Sequence, residues 1–328
     1  MFQDNISVTI VNLVVSSCVC SIIGLFGLAA NIINMIVFIR QGLNSSINIS
    51  LFSMAVADFF TILFVLWANV CFNPYIDYSE IPFYFPEVFY ATGGWPSGLS
   101  YRMTLHLTIY ITAERCLCIL FPLKIKSMIT PKRAVLTVGI LGIFNAAALV
   151  PEYSSVYLSW RFNELNNKTM LGVAFRSNIS QTFGITYLLH VILVVMGLFS
   201  VIALTSVLVM HLRRQTKWRM KNTGNIKQRA SYSSRDRKSE LLIVLVAISV
   251  VISYIPLTCV SLVSVFLPEF SIGGTLSDIL IEAWGLIYIF GMTNASSNII
   301  IYYKMNSKFR STLRKLWSKN QRIVGISS

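Results

Sequence analysis

Long apolar runs separated by short polar segments dominate the pattern of this chain. The first is uncharged from Asn5 to Ile39, and the second extends from Gln41 to Ile76, broken only by Asp58. The third, Val88 to Ala113, contains Arg102 and His106. After it come Ala134 to Pro151, Ser177 to Leu212 with His190 inside, Leu241 to Pro268, and Ala283 to Tyr303. A helix needs roughly 20 residues to cross a hydrocarbon core, and each run is of that order. Irregular backbone or an open sheet would leave N–H and C=O groups unpaired in lipid, so the runs are predicted to be helices. The expected fold class is all-α, a seven-transmembrane helix bundle. Beyond the seventh run, Phe309, Leu313, Leu316 and Trp317 recur at helical spacing among Lys308, Arg310, Arg314, Lys315 and Lys319. That pattern predicts a short amphipathic helix on the inner leaflet. The chain thus divides into an outer segment 1–12, a membrane domain 13–303, and an inner helix and tail 304–328.

Composition supports the membrane reading. Of 328 residues, 55% are apolar and 12% charged, where an average soluble domain carries about a quarter charged. Of the 27 basic residues, all but Arg102, Arg115, Arg161, Lys168 and Arg176 fall to one face of a seven-span topology. Basic residues near span ends are retained in the cytoplasm, so the N-terminus is expected outside and the chain in the plasma membrane. The opposite face holds Asp4, Asp77, Glu80, Glu87, Glu152, Glu164, Glu269, Asp278 and Glu282. Topology and anionic inner-leaflet lipid therefore explain the net charge of +14, and nucleic acid is not an expected partner. Three sequons, at Asn5, Asn167 and Asn178, fall on the outer face as candidate glycosylation sites. Those at Asn48 and Asn294 lie inside or within the membrane. The first apolar run is too long for a signal-peptide core, so the first helix is expected to direct its own insertion. The tail carries neither a Cys for palmitoylation nor a prenylation motif.

The polar residues within the spans narrow the class. Asp58 sits midway along the second span, where a lone charge costs roughly 2.5 to 3.5 kcal/mol on insertion scales. Its setting, Ser50-Leu-Phe-Ser-Met-Ala-Val-Ala-Asp58, resembles the LAxAD signature of rhodopsin-like G protein-coupled receptors, and Asn31 matches the Asn of their first helix. Glu114-Arg115-Cys116, with Pro122 seven residues beyond Arg115, resembles their DRY motif. Ser253-Tyr254-Ile255-Pro256 resembles CWxP with Tyr254 in place of Trp, and Asn298-Ile-Ile-Ile-Tyr302 resembles NPxxY with Ile299 in place of Pro. The motifs fall in family order, one per expected span, from about residue 27 to 309. Within the class, Glu114 to Lys126 most resembles invertebrate chemosensory receptors, including molluscan sets, and related neuropeptide receptors.

Several features depart from the family. Residues 152 to 182 contain no Cys, so the family's bridge between the third helix and the second outer loop is absent. Cys18, Cys20, Cys71, Cys116, Cys118 and Cys259 all lie in or at the ends of spans, which reads as apolar packing, with a Cys20 to Cys71 bridge as the alternative. The fourth span lacks the usual Trp, and the fifth the usual Pro and Tyr.

The resemblance implies an extracellular ligand and a heterotrimeric G protein as partners, with no enzymatic activity. It assigns coupling to Glu114, Arg115, Asp236, Glu240 and Tyr302, with Arg115 held by Glu114 and an acid of the sixth helix until activation. The alternative for Asp236 is an ordinary solvated loop charge. Asp58, Asn31, Thr104, Asn294 and Asn298 match the family's polar cluster, which implies a bound sodium ion; a water-filled hydrogen-bond network is the competing reading, and no other cofactor is expected. Ser97, Tyr101, Arg102, His190, Tyr254 and Tyr288 should border the ligand cavity. Arg102 suggests an anionic small molecule or a peptide carboxylate, unless it turns to the fourth and fifth helices and is satisfied by Asn145, His190 or backbone carbonyls. A secondary transporter of an anionic solute is the alternative function, against which the chain has no internal repeat and no paired helix breaks. Gly94-Trp-Pro-Ser-Gly98 has the wrong spacing for a serine hydrolase, and metal and phosphate motifs are missing.

Overall fold

The computed structural model describes residues 2–73, 81–121, 128–163, 167–222, 226–267, 269–270 and 275–323. Helices α1 (Phe2–Gln41) and α2 (Ser46–Cys71) form the first two rods. The third rod is compound: α3 (Phe85–Phe89) continues through a π-helical turn, Tyr90–Gly94, into α4 (Trp95–Leu120). Helix α5 (Pro131–Ala147) is followed by the short α6 (Val150–Ser155), and then come α7 (Ile179–Asn222), α8 (Ile226–Phe266), α9 (Ser277–Met305) and α10 (Ser307–Ile323). Among the described residues, five stretches are long and apolar enough to cross a membrane: Cys18–Gln41, Ser46–Cys71, Phe85–Leu120, Gln181–Arg214 and Leu241–Phe266. The remaining two expected spans form as α5 with α6 and as α9.

Prolines account for the irregular turns. A proline ring collides with the carbonyl four residues earlier and supplies no N–H. Pro151 therefore opposes the carbonyl of Ala147, where α5 ends, and Pro96 opposes Thr92, inside the π turn. Pro256 leaves the Ile252 carbonyl without its helical donor, yet α8 continues through it. Starts and bends are capped locally: Thr130 Oγ1 accepts from Arg133 N at 3.3 Å with Pro131 opening α5, and Asn306 Oδ1 accepts from Phe309 N at 3.0 Å where α9 turns into α10.

In the bundle, α1 packs on α2 and α9, α9 on α8, and α4 stands centrally against α2, α5, α7 and α8. Gly27 permits the close approach of α1, since a Cβ there would collide with Ser296 of α9 and Ile62 of α2. At the end bearing α10, the rings of Phe38, Tyr302 and Phe309 meet with centroids 5.4 to 5.7 Å apart, and all three are fully buried. This joint fixes the amphipathic helix to the bundle while Trp317 stays 69% exposed, as a helix lying on lipid requires. Outward Ile22, Phe26, Ile143 and Phe199 are exposed apolar side chains suited to acyl chains. Cys20 and Cys71 are not joined to each other, so the bridge between the first two helices does not form.

At the opposite end an antiparallel hairpin joins α6 to α7, with β1 (Val156–Asn163) paired to β2 (Lys168–Phe175) from Val156 with Phe175 to Asn163 with Lys168. The all-helical expectation did not include it. Its signals are the aromatic and β-branched residues of Val156 to Phe162 and the turn at Asn167, whose φ of 48 lies in the left-handed region that Asn tolerates.

Candidate functional site

Midway along the bundle, Asp58 is almost fully buried and joins three helices. Its Oδ1 accepts from Thr104 Oγ1 of α4 at 2.8 Å, and its Oδ2 accepts from Asn298 Nδ2 of α9 at 2.7 Å. Asn298 Oδ1 is buried without a partner. Asn294 faces the next helix, where its Oδ1 accepts from Ser249 Oγ of α8 at 2.9 Å. Asn31 donates at 3.0 Å to both Gly27 O and Ala295 O, stitching α1 to α9. Of the five residues expected in the polar cluster, Asp58, Thr104 and Asn298 are in direct contact, whereas Asn31 and Asn294 bind flanking groups instead. The oxygens of Asp58 and Asn298 are of the type a hard cation takes.

The six residues expected around the ligand separate into distinct groups. Tyr101 and Tyr254 stack with ring centroids 4.1 Å apart at the bundle centre. Tyr101 Oη donates to Ser253 O at 3.2 Å, and Tyr254 Oη donates to Tyr101 O. Arg102 is wholly buried and turned to α5 and α7: its Nε donates to Asn145 Oδ1 and its Nη2 to Asn145 O, both at 3.3 Å, and its Nη1 lies 2.5 Å from His190 Nδ1. Asn145 Nδ2 also reaches His106 Nδ1 at 3.0 Å and Leu141 O at 2.8 Å. Of the two readings open for Arg102, the geometry favours internal satisfaction over a free guanidinium. Ser97 Oγ donates to Gly94 O at 2.7 Å, closing the end of the π turn. Tyr288 packs elsewhere, beside Trp284 at 6.1 Å.

At the end bearing α10, Glu114 is buried, and its Oε2 has no hydrogen-bond partner; the same holds for Arg115 Nε. No ion pair joins these two side chains, so the expected hold of Glu114 on Arg115 is absent among the described residues. Tyr302 Oη lies 3.7 Å from Met54 Sδ, inside the aromatic joint. Asp236 and Glu240 fall on α8, but their side chains, like Asn5, lie outside the described residues, as does Pro122. Asn167 and Asn178 are exposed near the hairpin.

Two groups at the hairpin end were counted in the sequence only as outer-face acids. Glu87 Oε2 accepts from Val173 N of β2 at 2.8 Å and pairs with Arg161 of β1. The carboxylate beside it raises the Arg161 guanidinium above its ordinary value, and that guanidinium also lies 5.0 Å over the Tyr84 ring. Backbone bonds from Tyr84 N to Leu171 O at 2.9 Å and from Leu171 N to Pro82 O at 2.8 Å complete the attachment. Gly172 leaves room for it, since a Cβ there would strike Glu87 and Arg161. The hairpin is therefore tied to α3 without a disulfide. The second group is Glu152 of α6, whose carboxyl is fully buried and takes a hydrogen bond from Tyr90 Oη. Nothing in a single sequence distinguishes either acid from its exposed neighbours.

Residues 18–320 match the profile of the serpentine type 7TM GPCR chemoreceptor Srw family. Among curated proteins, the chain is 24% identical over 328 residues to the probable G-protein coupled receptor frpr-1 of Caenorhabditis elegans, covering 92% of this chain and 79% of that one. It is 25% identical over 312 residues to the FMRFamide receptor of Drosophila melanogaster, covering 92% of this chain and 53% of that receptor. The chain thus spans about half the length of the Drosophila relative. The membrane-length helices, the buried Asp58 cluster and the profile match over most of the chain lead to one assignment: it belongs to the serpentine 7TM chemoreceptor family of G protein-coupled receptors.

Proposed function

We propose that this receptor sits in the plasma membrane with its N-terminus and hairpin outside, binds an extracellular ligand at the hairpin end, and activates a heterotrimeric G protein at the end bearing α10. The observation that carries the reading is Asp58 bridging α2, α4 and α9 through Thr104 and Asn298. Because both partners lie on other helices, a relative movement of the rods must break or remake these bonds. A ligand that prefers one arrangement shifts the population by its differential affinity. Arg115, with Nε unpartnered at the far end of α4, supplies the cation that the released bundle offers to the G protein. Glu114, Asp236, Glu240 and Tyr302 tune that release. The curated relatives, one named as an FMRFamide receptor, support a peptide ligand over a small anionic metabolite. The Asp58 cluster is a sodium site in the resting receptor, and Asn5, Asn167 and Asn178 are glycosylated outside.

The test is nucleotide exchange on purified G protein. Arg115→Ala should abolish exchange at normal surface expression, and Asp236→Ala should raise the basal rate. Unchanged exchange in both variants rejects this coupling route. Solute uptake in transfected cells without any exchange would identify a secondary transporter instead.

A further inference from the structure

We infer that the groove lined by α2, α4, α5 and α6 is a docking site for a membrane sterol, held with its hydroxyl toward the hairpin end of the bundle. The inference is independent of the coupling route proposed above. The groove measures about 460 Å³, within the range of about 300 to 1,000 Å³ that holds a compact ligand. Its lining mixes two small side chains, Ser100 and Ala146, with the large Phe60, Phe64, Leu149 and Tyr153, so the small residues leave space that the large ones wall. Phe60 stands two residues beyond Asp58 on α2, and Tyr153 lies on α6 directly before the hairpin. The groove therefore runs through the half of the membrane nearer the hairpin.

Position and chemistry together select the occupant. Phe60 and Tyr153 are 43% and 40% exposed, and Ile143 and Val150, neighbours of Ala146 and Leu149 in the chain, are exposed as well. The groove is thus continuous with the apolar surface that the bundle turns to lipid. No charged side chain lines it, so nothing there holds a phosphate or carboxylate headgroup. Both hydroxyls of the lining are committed as donors, Ser100 Oγ to Pro96 O at 3.1 Å and Tyr153 Oη to Ala91 O at 2.6 Å. They retain only acceptor capacity, which suits a ligand that donates, and Tyr153 offers it at the outer end. The occupant is a neutral amphiphile with an apolar body and a donating hydroxyl at its outer tip. A sterol meets these conditions in the orientation it already has in a leaflet. Its fused rings lose little freedom on docking, whereas a phospholipid acyl chain must order many rotors.

The test uses the full-length receptor in phosphatidylcholine nanodiscs, with cholesterol as probe and its 3α epimer, epicholesterol, as control. Cholesterol should raise the thermal midpoint of the wild type by about 2 °C or more above epicholesterol. Phe199→Trp, on the exposed surface of α7, should keep that difference. Ala146→Trp, which fills the groove from a lipid-exposed position, should abolish it, and Tyr153→Phe should reduce it. A cholesterol analogue with a diazirine in its rings should label the wild type around Phe60 and Phe64 or on α6, and excess cholesterol should suppress that labelling. Equal midpoints with the two sterols, a full difference in Ala146→Trp, or labelling confined to other helices overturns the site. Dimerisation in sterol-free discs that Ala146→Trp prevents would also overturn it, giving the groove to a second copy of the chain. No G protein enters these measurements, so their failure leaves the coupling reading standing, and a failure of Arg115→Ala to act leaves the sterol site standing.

Discussion

Tyr101 and Tyr254 clasp α4 to α8 twice over: their rings stack at 4.1 Å, and each phenol hydrogen-bonds the backbone of the other's helix. Tyr254 occupies the place where the family motif has Trp, two residues before Pro256. A Trp carries one donor on a longer ring, whereas Tyr reaches the Tyr101 carbonyl at a point where the proline has already loosened α8.

Removing one phenol should therefore loosen the clasp without emptying the core. Tyr254→Phe loses a buried hydrogen bond worth about 0.5 to 1.5 kcal/mol and keeps the stack. Basal nucleotide exchange should rise by roughly two- to tenfold, as a population shift of that size dictates. A basal rate equal to wild type would assign Tyr254 to packing alone.

The tie of Glu87 to Arg161 and Val173 N makes a second expectation. Glu87→Ala should cost more thermal stability than Arg161→Ala, because it also strands the Val173 amide. With the paired side chains 45% and 34% exposed, the coupling from a double-mutant cycle should be only about 0.2 to 1 kcal/mol. It should shrink further in high salt. Hydrogen exchange at Val173 should quicken in Glu87→Ala, and an unchanged rate there would detach the hairpin from this carboxylate.

For Asp58 the informative comparison is sodium against potassium chloride at equal ionic strength. The wild type should melt at a higher temperature in sodium, and Asp58→Asn should remove the difference while preserving surface expression. Indifference of the wild type to the cation would leave a hydrogen-bonded network with no ion.

Arg102 acts as a pin between α4, α5 and α7 in this geometry. Arg102→Ala should destabilise the purified receptor by about 1 to 3 kcal/mol, since Asn145 Oδ1 and His190 lose a buried donor. Asn145→Ala should cost a similar amount, and the double variant less than the sum. Additive losses, or a specific loss of agonist potency in Arg102→Gln at wild-type stability, would restore Arg102 as a ligand contact.

The sequence by itself determined the number and nature of the spans, the docked helix after the seventh, and the family. Those conclusions rest on properties local to the chain. A 20-residue apolar run is costly anywhere but in lipid, and Phe309 at helical spacing from Leu313 marks its face without reference to another helix. Only the tertiary structure decided which buried polar groups meet. Arg102 could face the cavity or α5, and helix rotation sent it to Asn145 and His190. Glu87, Glu152 and Glu282 are alike as outer-face acids in the sequence, yet folding ties the first to Arg161, buries the second against Tyr90, and leaves the third exposed. The hairpin escaped a reading tuned to helical spans because its pairing joins residues across a turn. Its hold on α3 depends on contacts some 74 residues apart in the chain, a separation over which the periodicity of either segment carries no information.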